Sequence, residues 1–183
     1  ADSLCGQCLN RPPPFVYATA PLLYRFPVDA LIPAFKYHRQ AAYGRLLSQL
    51  MILGLSDYLE QHPERRPELL LAMPMHPTRQ SQRGYNQAFE LARPVSRALG
   101  ITLQQNVLQR SRATQTQQGL NAQERRRNLE GAFHCSSPAV VKDRDIALID
   151  DVMTTGVTAA EASRTLLSAG ARSVQLWCAA RTP

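Results

Sequence analysis

The fold is decided by residues 146–158, which read Ile-Ala-Leu-Ile-Asp-Asp-Val-Met-Thr-Thr-Gly-Val-Thr. A short apolar run ends in two acids, a loop with threonines and one glycine follows, and a helical pattern begins at Val157. A continuous apolar run of this kind is typical of a strand buried on both faces of a parallel sheet. The stretch therefore predicts a strand-to-helix junction where carboxylates and free main-chain amides lie together.

Apolar patterning along the rest of the chain predicts alternating strands and helices. Apolar side chains spaced by three and four residues predict helices over 40–59, 85–99 and 157–169, with Pro94 kinking or dividing the second and Gly100 capping it. Short apolar runs predict strands over 69–73, 101–108, 145–149 and 173–179, the second of them weak. This alternation indicates an α/β fold with a mostly parallel central sheet flanked by helices.

The charge of the chain is concentrated in its middle third. The net charge is +7 over 183 residues, and 19 of the 21 basic residues are arginines. Residues 65–129 alone carry 11 arginines against three glutamates, a balance of +8. Because arginine suits bidentate contact with phosphate, this distribution indicates binding to phosphates of a small ligand or of nucleic acid. The alternative is a solvated basic surface.

The first 15 residues differ in composition from the rest. Cys5 and Cys8 have the spacing of half a zinc site, and the proline run that follows is typical of a stiff linker. We therefore expect a small cysteine-containing appendage over 1–15 and one main domain over 16–183. Zinc needs about four ligands, and Cys135 and Cys178 fall in predicted strands far along the chain.

No apolar run approaches the roughly 20 residues that span a bilayer, and the N-terminus lacks a basic-then-apolar signal pattern. These features predict a cytoplasmic protein without a membrane span.

The junction carries the chemistry of a phosphosugar site. Asp150 and Asp151 are predicted at the carboxyl end of a parallel strand, where they can accept hydrogen bonds from a sugar diol or hold water on Mg²⁺. The first amides of the following helix favour an anion, and glycine allows close approach. The alternative is an ordinary threonine-capped helix. The residues predicted to form the phosphate cradle are Val152, Met153, Thr154, Thr155, Gly156, Val157 and Thr158.

Residues 146–158 resemble the signature of type I phosphoribosyltransferases, which bind phosphoribosyl pyrophosphate (PRPP). The resemblance implies that Asp150 and Asp151 are the catalytic acids that hold the ribose hydroxyls, and that residues 154–158 grip the 5-phosphate. It also implies that Mg²⁺ is held mostly by oxygens of the substrate's pyrophosphate and ribose.

Further motifs resemble a narrower group, the ComF/GntX family, which is tied to competence and the use of external DNA. These motifs are Cys5-Gly-Gln-Cys8, Phe35-Lys36-Tyr37, Arg79-x-x-x-Arg83-Gly84-Tyr85-Asn86-Gln87-Ala88, Gln118-Gly119-Leu120, Arg125-x-x-Asn128 and Gly131-Ala132-Phe133. Members of the family carry two CxxC-type knuckles and this chain has one. Zn²⁺ is therefore expected only with additional N-terminal cysteines.

Two basic segments complete the predicted site. Residues 74–84 form a predicted polar loop after a buried strand, so they face the same sheet edge as the acids. The resemblance implies that this is the pyrophosphate loop, with candidate residues Met75, His76, Arg79, Arg83 and Gly84. It also implies that residues 110–128 form a mobile loop over the site, where Arg112, Gln118, Arg125, Arg126 and Arg127 would contact phosphate or follow a DNA strand.

Three hypotheses for function remain open from the sequence. The first is a magnesium-dependent phosphoribosyltransferase that acts in DNA uptake and the utilisation of external DNA. The second is a non-catalytic accessory that binds single-stranded DNA and a competence helicase-like partner, and the third is a PRPP sensor that uses the same pocket. Because no segment shows a clear base-binding pattern, the sequence does not decide whether turnover occurs.

Overall fold

The central strand of the molecule is β7 (Asp145–Met153), whose residues 146–149 are fully buried. The structure is a computed structural model that describes residues 12–37, 40–112 and 129–183. In these residues β7 lies between β8 (Ser173–Arg181) and β3 (Leu69–Ala72), and both pairings are parallel. The apolar run at residues 146–149 therefore lies in the middle of a parallel sheet, as predicted.

The structure describes five further strands, which are β1 (Ala18–Thr19), β2 (Leu22–Leu23), β4 (Thr102–Gln104), β5 (Leu108–Arg110) and β6 (Phe133–Cys135). The described main sheet has the strand order β1-β8-β7-β3-β4, with β2 also paired to β8. Every pairing in it is parallel. A separate antiparallel pair is formed by β5 and β6.

Helices cover both faces of the sheet. The helices are α1 (Val28–Tyr37), α2 (Ala41–Gln61), α3 (Pro77–Arg83), α4 (Gln87–Leu99), α5 (Pro138–Val141) and α6 (Val157–Ser168), with a 3-10 turn at Pro63–Arg65. Residues of α1, α2 and α4 form one core layer, and residues of α6, β5 and β6 form the other. The architecture is the predicted α/β fold with a mostly parallel sheet between helices.

The core depends on the alternation of side chains along β7. Ile146 and Leu148 pack into the layer that contains α6, whereas Ala147 and Ile149 pack into the layer that contains α1, α2 and α4. Successive residues of a strand point to opposite faces, so a strand covered on both sides needs an uninterrupted apolar run. Truncating a fully buried leucine in such a core costs about 2–5 kcal/mol.

Several predicted boundaries are wrong for identifiable reasons. Residues 101–108 do not form one strand, because Asn106 adopts a positive φ of 60° and separates β4 from β5. The predicted loop 74–84 contains a short helix, α3, which Pro77 starts with its fixed φ. Pro94 does not divide the second helix: α4 runs through it to Leu99. Gly100 caps α4 in the left-handed conformation, as predicted.

Two further differences concern the site. Strand β7 continues through the two acids to Met153, because Asp150 and Val152 still pair with β8, whereas the sequence predicted its end at 149. Helix α1 was not among the predicted helices, because proline is disfavoured inside a helix. Pro33 lies inside α1, whose buried Val28, Ile32 and Phe35 recur at helical spacing.

Candidate functional site

The two acids lie on opposite faces of the end of β7. Asp150 continues the series of Ile146 and Leu148 and lies beside the layer of α6, whereas Asp151 continues the series of Ala147 and Ile149. Each carboxylate accepts a local main-chain bond: Asp150 Oδ1 from the amide of Asp151 at 2.9 Å, and Asp151 Oδ1 from the amide of Val152 at 2.7 Å. The strand end therefore presents a carboxylate in each layer beside one cavity.

Lys36 pairs with Asp151 from α1, on the same face of the sheet as Asp151. Its Nζ lies 2.7 Å from Asp151 Oδ2, and the two side chains are 24% and 10% exposed. Lys36 sits in the last turn of α1, so this ion pair joins that helix to the end of the central strand. An ion pair with this little solvent is screened far less than a surface pair.

Asp150 is electrostatically perturbed. Burial of its carboxyl and repulsion by Asp151 raise the pKa of Asp150 to about 7, although Lys36 and Arg110 oppose the increase. Two neighbouring carboxylates in a poorly solvated site do not both ionise freely. A carboxyl whose pKa is raised towards neutrality, as that of Asp150 is, is typical of functional sites.

A cavity of about 260 Å³ joins the acids to three arginines. Arg79 and Arg83 come from α3, and Arg110 comes from the end of β5. Burial and the charge of Arg79 lower the pKa of Arg110, while Asp150 acts in the opposite direction. The cavity thus combines carboxylates, which accept hydrogen bonds from hydroxyls, with guanidinium groups, which bind phosphate oxygens.

The predicted phosphate cradle follows the strand end directly. Val152 and Met153 are the last residues of β7, and Thr154 and Thr155 are exposed in the loop. Gly156 has φ of 70° and stands at the N-cap of α6 without a side-chain cap. Val157 and Thr158 begin the helix, and Thr158 lines the cavity with the acids.

The candidate pyrophosphate residues are placed by two helix caps. Met75 lines the cavity, while His76 caps α3 through Nδ1, which accepts from the amide of Thr78 at 3.3 Å. Gly84 ends α3 with a φ of 84°, and Asn86 is the N-cap of α4. The Asn86 side chain also donates to the carbonyl of Met73 at 3.0 Å, which fixes the segment against the end of β3.

Most residues of the predicted mobile loop lie outside the described residues. These are Gln118, Arg125, Arg126 and Arg127. Arg112 is described, and its Nη2 donates to the carbonyl of Glu130 at 3.0 Å.

Cys5 and Cys8 also lie outside the described residues. Cys135 and Cys178 are buried free thiols in β6 and β8. Burial, together with the charges of Asp150 and Asp151, raises the pKa of Cys178 well above its usual value, so this thiol is not reactive.

Lys36 and Arg110 are site residues that the sequence analysis missed. Lys36 was noted only within the Phe35-Lys36-Tyr37 motif, and Arg110 only as the start of a loop. The sequence feature that could have drawn attention to Lys36 is the scarcity of lysine, since Lys36 is one of two lysines in the chain. Gln87 was missed as well: its Oε1 accepts from Arg83 at 3.1 Å on the cavity wall.

Among the described residues, the acid pair is the candidate position for a metal ion. In the described ranges no group of three or more His, Cys, Asp or Glu side chains could hold a metal ion. Two carboxylates, one of them engaged by Lys36, fit a Mg²⁺ ion whose other ligands come from a bound substrate.

The fold and the site define a phosphoribosyltransferase-type domain. Residues 86–183 match the family described as "Phosphoribosyl transferase domain". The chain belongs to the ComF/GntX family of type I phosphoribosyltransferase-like proteins.

Relatives of known name cover almost the whole chain. This chain is 37% identical over 178 residues to "DNA utilization protein YhgH" of Escherichia coli O157:H7. The match covers 97% of this chain and 78% of the relative. It is 39% identical over 181 residues to "Competence protein F" of Haemophilus influenzae, with the same coverage of 97% and 78%. A purine phosphoribosyltransferase structure from Pyrococcus horikoshii Ot3 superimposes with a TM-score of 0.47 at 17% identity, over 74% of this chain and 73% of that one.

Among the described helices, none combines the length and the apolar character that crossing a bilayer requires.

Proposed function

We propose that the protein binds PRPP or a related sugar phosphate in the cavity at the end of β7, and that it acts in the utilisation of external DNA. The observation that carries the proposal is the meeting of Asp150, Asp151, Arg79, Arg83 and Thr158 around one space. A ligand with a diol flanked by phosphates matches this arrangement of acceptors and donors.

The acid pair suits the ribose of such a ligand. A 2,3-diol presents two adjacent hydroxyl donors, and Asp150 and Asp151 present carboxylate oxygens from neighbouring positions on one strand. Their local main-chain hydrogen bonds hold both carboxyl groups in place before a ligand arrives. Such preorganisation reduces the entropy lost on binding.

The start of α6 suits the 5-phosphate. Its first amides receive no side-chain cap, and Gly156 brings the backbone into the left-handed conformation at the point where a phosphate would approach. The helix dipole and these amides favour a dianion. Thr158, in the first turn, adds a hydroxyl on the cavity wall.

Arg79 and Arg83 suit the pyrophosphate. Both lie on α3, one turn apart, and they line the same cavity as Thr158, which comes from α6. Mg²⁺ bound with the substrate would neutralise charge on the pyrophosphate and favour its departure. The chain's own residues would act by binding and orienting the ribose, so that catalysis would be electrostatic positioning.

The proposed role in DNA utilisation comes from the relatives. The names of the proteins at 37% and 39% identity refer to DNA utilisation and competence. The concentration of arginine between residues 65 and 129 accords with a phosphate-rich ligand.

Calorimetry with a graded set of ligands tests the proposal. We expect PRPP with Mg²⁺ to bind more tightly than ribose 5-phosphate, and ribose 5-phosphate more tightly than 2-deoxyribose 5-phosphate, which lacks one hydroxyl of the diol. Equal affinity for the ribose and deoxyribose compounds would contradict the role of the acid pair.

A pyrophosphate-release assay with a panel of bases and amines then separates an enzyme from a sensor. Release that depends on one acceptor indicates a phosphoribosyltransferase. PRPP binding without release for any acceptor indicates a sensor or an accessory.

A further inference from the structure

A second, larger depression lies beside the phosphosugar cavity and has a different character. It has a volume of about 920 Å³ and runs between α2 and α4, with α1 at one end. Its lining extends from Ala41 to Ile52 on α2 and from Glu90 to Arg97 on α4. At a rise of 1.5 Å per residue these spans are about 16 Å and 10 Å long, enough for two to three turns of a helix.

The floor of this groove is apolar and firmly held. Ile52 of α2 and Pro94 of α4 both line the groove, and the Phe35 ring packs against Gly44 so closely that a Cβ there would lie 2.6 Å from it. The Tyr85 hydroxyl donates to the Phe35 carbonyl, and the two rings lie 5.8 Å apart. The groove therefore exists before any partner arrives.

The rim of the groove is positive. Arg45 projects from α2, and Arg93 and Arg97 lie one turn apart on α4, and all three are exposed. Glu90 is the single acid in the lining, and its carboxylate lies 3.7 Å from Arg93. Within the part of the chain that the structure describes, Arg45 and Arg97 form no ion pair. The rim thus offers a net positive charge to whatever occupies the apolar floor.

We propose that this groove docks an acidic amphipathic helix of a partner protein. An apolar stripe at positions i, i+3, i+4 and i+7 would lie on the floor, and Asp or Glu on its flanks would meet the arginines of the rim. The length of the groove matches about 10 residues of such a helix. The groove shares Arg83 with the phosphosugar cavity, but the proposal does not depend on what binds in that cavity.

Two other occupants fit the same observations less well. A single strand of nucleic acid needs open aromatic faces for stacking, but in the described lining Phe35 is 3% exposed and the Tyr85 ring packs against the Phe35 ring. A second copy docked symmetrically would bring the arginine rims of both copies together. An acidic helix satisfies both the apolar floor and the charged rim.

The test is selection from a displayed library of 18-residue helices that have fixed leucines at i, i+3, i+4 and i+7 and random flanking positions. We expect enrichment of Asp and Glu at the flanks. A selected peptide, measured by fluorescence anisotropy, should bind Arg93→Glu with Arg97→Glu at least about tenfold more weakly. It should bind Ile52→Gln about fivefold more weakly, because the polar side chain spoils the floor.

The matched control is Arg25→Glu with Arg181→Glu, which changes the net charge by the same amount at exposed positions away from the groove. This control should change binding less than about twofold, and circular dichroism should show that all variants fold. Three results would overturn the proposal. The first is no enrichment of acidic residues at the flanks, and the second is that selected peptides bind all variants equally. The third is that a thymidine 20-mer binds the protein and that only the Arg93→Glu and Arg97→Glu changes weaken this binding. Self-association abolished by Ile52→Gln would also overturn it, in favour of a second copy.

Discussion

The two ends of the central sheet use acidic residues in opposite ways. At the amino ends of the strands, Glu68 and Asp145 lie among Arg144 and Arg172, with Glu68 Oε1 2.7 Å from Arg144 Nη1 and Asp145 Oδ2 2.9 Å from Arg172 Nη2. At the carboxyl ends, Asp150 and Asp151 are neighbours on one strand. The same strand, β7, thus begins with a neutralised acid and ends with a crowded pair.

The consequences for ionisation differ in sign. A hydrogen bond from the Asp145 amide, with help from Arg144 and Arg172, lowers the pKa of Glu68. Burial and the Asp151 charge raise the pKa of Asp150 to about 7. At the amino ends of the strands the folded chain therefore favours the ionised form of Glu68. At the carboxyl ends it disfavours the ionised form of Asp150, and a bound ligand can relieve this unfavourable free energy.

The largest expected effect follows from removing both acids at the carboxyl end. Asp150→Asn with Asp151→Asn should weaken binding of PRPP with Mg²⁺ by at least about 100-fold, because two charge-assisted hydrogen bonds to the diol are lost. The measurement is isothermal calorimetry. The paired change Glu68→Gln with Asp145→Asn serves as the control and should leave affinity within about twofold. Loss of affinity in both double variants would remove the distinction between the two ends.

The ion pair that joins α1 to the strand end should come next. Lys36→Met leaves Asp151 with an unpaired charge in a nearly buried position, so the free energy of unfolding should fall by about 1–3 kcal/mol. Urea denaturation at pH 7 measures it. Lys36→Arg, which keeps the charge, should recover most of the loss. A Lys36→Met protein as stable as the original would show that this pair contributes nothing.

The raised pKa of Asp150 predicts how stability depends on pH. Between its ordinary pKa of 3.8 and the folded value of about 7, the folded state binds more protons than the unfolded state. Stability contributed by the protonated carboxyl is therefore lost as pH rises through this window. Asp150→Asn should be more stable than the original protein by about 1–2 kcal/mol at pH 8 and about equal at pH 4.

Thermal unfolding of the two proteins across this pH range tests the prediction. An Asp150→Asn variant that is destabilised at pH 8 would mean that the carboxylate is stabilised in place, as at the amino end.

The smallest effect is expected from the amino-end cluster. Glu68 is exposed and its pKa is lowered, so its contribution to stability is present at neutral pH and lost as pH falls through the folded pKa. Glu68→Gln should lower the melting temperature slightly at pH 7 in low salt. The difference should vanish at 1 M salt, since screening removes the attraction of exposed charges. A salt-independent loss would point to packing instead.

The sequence predicts the parallel core well because burial on both faces demands an uninterrupted apolar run. The runs at 69–73, 145–149 and 173–179 all correspond to strands of the sheet, and Gly100 caps its helix. The wrong element boundaries come from local backbone preferences of single residues. Asn106 divides a predicted strand, and Pro77 starts a helix inside a predicted loop. Neither event changes the apolar pattern from which the elements are predicted.

The site is only partly predictable for a similar reason. The sequence predicts that Asp150, Asp151 and the arginines of α3 lie together, since parallel strands bring their carboxyl ends to one edge, and in the structure they line one cavity. Lys36 pairs with Asp151 across 115 positions of sequence through α1, a helix that was not predicted because Pro33 lies inside it. Whether the acids accept a diol, and whether residues 152–158 hold a phosphate, remain predictions.

The most direct test is a crystal structure of the protein with ribose 5-phosphate and, separately, with PRPP and Mg²⁺. We expect the diol within hydrogen-bond distance of Asp150 and Asp151, and the 5-phosphate on the amides that begin α6. A sugar phosphate bound with its hydroxyls away from both carboxylates, or bound only outside this cavity, would contradict the proposed phosphosugar site.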